Sequence, residues 1–141
     1  MVRNIKIKDQ KGVAAIEFAI ILPLLVLLVL GIIEFSILLY DKAMVTNASR
    51  EGARTGIVFS YPNRITDEEI ITVVNNYCSE HLITFGNTST VNTTIVRVGD
   101  SSGDPLIVRV SYQYDFLALP NFIVGLAGGI NVVAETVMRL E

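Results

Sequence analysis

Hydrophobic residues fall in two regimes along the chain. From Val13 to Tyr40 they are nearly continuous, 28 residues with only Glu17 and Glu34 charged. Leu22, Leu24, Leu25, Leu27 and Leu28 make this a helix-forming run, and Pro23 predicts a kink within it. Beyond it the pattern becomes periodic. Thr66 followed by Glu69 predicts a capped helix running to about Leu82, with Ile70, Val73, Val74, Tyr77 and Cys78 on one face. Three alternating stretches then predict strands: Val91–Val98, Leu106–Phe116 and Ile130–Leu140. In the second, Leu106, Val108, Val110, Tyr112, Tyr114 and Phe116 share a face, and Arg109, Ser111, Gln113 and Asp115 share the other. In the third, Ile130, Val132, Ala134, Thr136, Met138 and Leu140 face one way. Alternation of this kind predicts an antiparallel sheet with one buried side. The expected fold class is α+β: a long N-terminal helix, a short helix and a small antiparallel sheet of about three strands. The connection 99–105 reads as a hairpin loop, and 119–129 as an apolar, Gly-rich crossing whose Phe122, Ile123, Val124 and Leu126 form a contact patch if exposed.

Charge gives the apolar run a direction. Arg3, Lys6, Lys8 and Lys11 against Asp9 give residues 1–12 a charge of +3, and the rest of the 141-residue chain carries −6. The positive-inside bias predicts a single span at about 15–40, N-terminus in the cytoplasm and acidic body outside. The run is longer than the apolar region of a secretory signal, no small-residue cleavage site follows it, and no cysteine provides a lipobox. A retained anchor is therefore expected. The expected domains are a leader at 1–12, the helix at 13–56 and an extracytoplasmic α+β domain at 57–141.

Several chemistries drop out. Positions 41–141 hold seven bases against eleven acids, a poor surface for nucleic acid. One cysteine and one histidine leave no nucleophile–base set, and no HExxH or phosphate loop is present, so no enzyme is expected. Cys78 reads as a buried small hydrophobe, with an intermolecular bridge as the alternative. His81 reads as a helix-end residue. Asp100 and Asp104 lack the ligand number of a calcium loop, and no metal or cofactor is expected. Asn47, Asn87 and Asn92 stand in glycosylation sequons, which are acceptors only in a suitable export pathway.

Glu17 is the informative residue. A carboxylate at the start of an apolar span is costly and marks function by default. Cutting between Gly12 and Val13 would free an α-amino group four residues before it and remove the basic tip. That amine could pair with Glu17 of a neighbouring subunit. Further on, the small residues Ala43, Val45, Ala48, Gly52, Ala53 and Gly56 would let another backbone approach closely. Arg50 and Arg54 lie one turn apart beside Glu51, consistent either with a solvated helix end or with packing between subunits.

Gly12, four small or apolar residues, then Glu17-Phe18 and an apolar helix resemble the prepilin signal of type IV pilins. The Glu-Phe pair is similar to the tight-adherence subgroup. Pro23-Leu24-Leu25, Gly31 to Phe35, Leu38 to Tyr40 and Asn47 to Arg54, ending in Gly52-Ala53-Arg54, resemble the TadE-like minor pseudopilins over about residues 12–56. The resemblance implies a pilin-like α+β fold and a structural subunit of a tight-adherence (Flp) pilus system in the bacterial inner membrane. It implies cleavage at Gly12/Val13 by a prepilin peptidase, an assembly role for Glu17 and Phe18, and a packing motif at Arg50, Gly52, Ala53 and Arg54. The implied partners are that peptidase, other pilins and pseudopilins, the inner-membrane assembly machinery and membrane lipid, with no nucleic acid or small-molecule substrate. A major filament pilin is a second reading, against which a body of this size argues. A membrane-anchored extracytoplasmic binding module without an assembly role is a third.

Overall fold

The computed structural model describes residues 8–58, 64–84, 90–116, 125 and 128–141, leaving out the side chains of 8–11. The apolar run and the small-residue stretch form one helix, α1, spanning Lys8–Ile57 without interruption at Pro23. Its 50 residues make a rod about 75 Å long at 1.5 Å per residue. The leader residues 1–7, the apolar crossing at 117–124 with Leu126, and the sequon at Asn87 lie outside the described residues.

The short helix α2 covers Asp67–His81 and starts on the predicted capping box. The Glu69 amide donates to Thr66 Oγ1 at 3.3 Å, and Glu69 Oε2 accepts from the Thr66 amide at 2.8 Å. Ile70, Val74 and Cys78 are its buried stripe. Arg97 ties this helix start to the sheet, donating to Asp67 Oδ1 at 2.8 Å and to the Ile65 carbonyl at 2.9 Å.

The strands β1 (Val91–Arg97), β2 (Pro105–Tyr114) and β3 (Ile130–Arg139) form an antiparallel meander in the order 1-2-3. Leu106, Val108, Val110, Tyr112 and Tyr114 are all buried, together with Val132, Ala134 and Leu140. The sheet lays this face on α1 and α2, so the alternation in the sequence is the alternation of core and solvent. On the other face Arg109 pairs with Glu135 directly across the strands, Nε to Oε2 at 2.7 Å. The loop before β2 is held by Asp104, which accepts the Ser101 amide at 2.9 Å, and by Gly103, whose φ of 93° suits only glycine.

The second half of α1 belongs to the body. Val45, Ala48 and Ala53 are fully buried in the same core as Ile70, Val108 and Tyr114. The globular unit thus begins near Glu34 rather than after the helix, because a three-stranded sheet and one short helix need a further apolar surface to close a core. β2 runs antiparallel to α1, with Leu106 near Gly56, Val108 near Gly52 and Tyr114 at Glu34.

Candidate functional site

The rod's first turns carry the proposed signal. Gly12, Val13, Glu17 and Phe18 all lie on α1 and all are exposed, and no ion pair reaches Glu17 among the described residues. A side chain at position 12 would meet no other atom within 4 Å, so nothing in the described fold requires glycine there. From Val13 to Val29 every residue is exposed, and α1 is long and apolar enough to cross a bilayer. Exposed isoleucines, leucines and phenylalanines on this scale are costly in water and favourable in lipid. Glu17 is the single charge on that exposed stretch.

The other apolar-run acid, Glu34, has a different fate. It is 3 % exposed, and the hydroxyl of the fully buried Tyr114 donates to its Oε1. Tyr114 is wedged edge-on between Tyr112 and Phe116, with ring centroids 6.3 and 6.0 Å away. Burial, reinforced by the bond to Glu34, holds the Tyr114 hydroxyl far above the ordinary tyrosine range, so it stays a donor. The cost of a carboxylate in the apolar run is met for Glu34 by a partner within the chain. Sequence reading placed Tyr114 on the buried face but did not connect the two.

Asp41, two turns on, is a site residue that sequence reading missed. It is fully buried; its Oδ1 accepts the Ile83 amide at 3.0 Å, and its Oδ2 has no hydrogen-bond partner among the described residues. Burial raises its pKa, partly opposed by the Ile83 bond. Its spacing from Glu34, Ile37 and Val45 puts it on the inward helix face, the one signal that could have found it. Beside it the Lys42 ammonium donates to the Val133 carbonyl. Ser49 and Thr136 share a hydroxyl–hydroxyl bond of 2.7 Å, a further clasp between α1 and β3.

The Arg50–Arg54 segment divides by face. Gly52 and Ala53 are buried against the chain's own body: a Cβ on Gly52 would sit 2.6 Å from Val74 Cγ2, and one on Gly56 2.5 Å from Leu106 Cδ2. The close approach that these small residues permit is made by α2 and β2. Neither glycine ends the helix. Arg50 and Arg54 point outward, Arg54 lying 3.9 Å from Glu51. Cys78 is 1 % exposed, with its thiol pushed up to about 11 by burial, which makes it a poor nucleophile. His81 stacks on Tyr77 at 4.3 Å, and its Nδ1 lies 2.8 Å from the Tyr77 carbonyl. Among the described residues no three His, Cys, Asp or Glu side chains gather as a metal site.

Gly12 to Phe18 and Arg50 to Arg54 therefore lie on opposite ends of one helix, far apart. What joins them is the continuous element itself. Residues 12–54 match the family model for TadE-like protein, so the match opens at Gly12 and closes at Arg54. The resemblance read from the residues is borne out over that stretch. No curated protein and no solved structure matches the chain.

Proposed function

We propose that this chain is a minor pseudopilin, a structural and assembly subunit of a tight-adherence pilus system, anchored once in the bacterial inner membrane. Val13 to Ile33 would cross the bilayer, with residues 1–12 in the cytoplasm and the body outside. The 21 residues of that stretch measure about 31 Å as a helix, against a hydrocarbon core of about 30 Å. A prepilin peptidase would cut between Gly12 and Val13. The new amine and Glu17 of a neighbouring subunit would then neutralise one another in apolar surroundings, where an ion pair is strong and an unpaired charge costly.

The single observation that carries this reading is that the family match opens at Gly12, where the basic leader gives way to the apolar run and the Gly12-to-Glu17 spacing begins. Protein from cells carrying the peptidase should begin at Val13 by mass spectrometry, and an intact leader there overturns the processing step. Glu17→Ala should leave membrane insertion intact and abolish incorporation into filaments. Equal incorporation of the variant removes the assembly role of this acid. Arg50 and Arg54, exposed on the outer side of α1, are the residues of the packing motif available to another subunit.

A further inference from the structure

The end of the body nearest the rod is apolar in a way that the core does not explain. Gly31, Glu34, Phe35 and Leu38 of α1, with Phe116 after β2 and Ile130 at the start of β3, line an open groove of about 200 Å³. Phe35 is 59 % exposed and Ile130 37 % exposed. Glu34, the one acid in the lining, turns its Oε1 to the Tyr114 hydroxyl. The other charges at this end are turned away from the groove or engaged: Asp41 is buried, Lys42 bonds to β3, and Asp115 continues the opposite side of the β2 alternation.

Position decides what meets this groove. If Val13 to Ile33 fills the hydrocarbon, Phe35 and Leu38 stand within the next two turns, roughly 3–8 Å higher by helical rise. The headgroup layer extends about 5–8 Å beyond the hydrocarbon on each side. Since β2 runs toward the rod and β3 away from it, Phe116 and Ile130 are brought to that same level. The stretch between them, 117–129, contains no charged residue. Tyr40, 41 % exposed, lies about 10 Å above Ile33, just beyond that layer. Among the described residues the apolar lining thus runs from the rod through Phe35 and Leu38 to Phe116 and Ile130 at the sheet's near end.

We propose that this groove is a lipid-contact surface: the body is seated on the outer leaflet through Phe35, Phe116 and Ile130 rather than held above it on a stalk. The inference rests on the membrane reading given above, and its test separates the two. The chain has no tryptophan, so each introduced indole reports alone. The full chain is reconstituted in phosphatidylcholine vesicles brominated either near the headgroup or deep in the acyl chain. L25W, in mid-rod, should be quenched by deep bromines. F116W and I130W, both carried by the sheet, should be quenched by shallow bromines, and V137W, at the far end of β3, by neither.

Quenching of L25W with none of F116W or I130W overturns the seating and leaves the membrane anchor standing. Loss of the L25W signal overturns the anchor itself and the seating with it. Should F116W and I130W be unquenched yet blue-shifted in proportion to protein density in the vesicle, a second copy covers the groove and the lipid assignment fails. Because I130W replaces a part-exposed strand end, its agreement with F116W guards against a packing defect at position 116.

Discussion

At the scale of single residues, the neck of the molecule concentrates its electrostatic cost in two acids that are handled differently. Glu34 has a tyrosine donor, and a hydrogen bond to a charged group is worth about 1.5–3 kcal/mol. Tyr114→Phe should lower the unfolding free energy by about that amount in urea titrations in micelles. Adding Glu34→Leu to it should recover part of the loss, because both polar partners are then replaced by apolar groups. Asp41 works in the other sense. Its folded pKa is raised above the usual 3.8, so the native state holds that proton more tightly than the unfolded chain does. Its contribution is fully present when the acid is protonated and is lost as pH rises from about 4 through the raised folded value. Asp41→Asn should match the parent at low pH, become progressively more stable than it across that window, and keep a constant advantage above it. Parallel urea midpoints across pH for the two proteins would show the assignment to be wrong. Neither pair is visible along the sequence, because Glu34 and Tyr114 stand 80 positions apart and Asp41 and Ile83 stand 42 apart.

Among the elements, local rules carried most of the reading. The capping box of α2 needs only Thr66 and Glu69 in register, and the strands need only alternation, so both were legible within a few residues. The order of the meander was not, since alternation says which side of a strand is buried and not which strand lies beside it. The small-residue stretch of α1 was legible as a close-approach surface but not as to what approaches. Val74 and Leu106 supply the answer from two other elements. Gly52→Ala should therefore destabilise the body. The added methyl meets a stiff, β-branched Val74, and overpacking costs typically about 1–3 kcal/mol against about 1 kcal/mol gained in helix propensity. Gly56→Ala should cost less, because its Cβ meets Leu106 Cδ2 and Ile70 Cδ1, the far ends of flexible side chains. Thermal unfolding of the two variants in one detergent gives the order. A Gly56→Ala more damaging than Gly52→Ala would contradict this account of the helix–helix contact. The Arg109–Glu135 pair, exposed on the outer sheet face, contributes less than about 1 kcal/mol.

For the molecule as a whole, the N-terminal stretch was legible as one long apolar helix and a candidate membrane span, because length and apolar composition can be counted residue by residue. The body was legible as a class, α+β with a one-sided sheet, and its boundary was not. The residues that close its core, Val45, Ala48 and Ala53, sit on the same helix as the span, where composition changes gradually. That shared helix has a mechanical consequence. With no hinge between anchor and body, the angular position of the sheet is locked to the angular position of Glu17, as a cam is keyed to its shaft. One alanine inserted between Leu27 and Leu28 would twist the two apart by about 100°, whereas four would leave them only about 40° out of phase. Filament incorporation, scored by immunoblot of sheared fibres, should fall much further for the single insertion than for the longer one, and the reverse order would mean that the two ends are read independently. On the assembly reading proposed above, a subunit keyed in this way would present its whole outer face the moment its apolar rod is gripped, and would need no separate step to find its orientation.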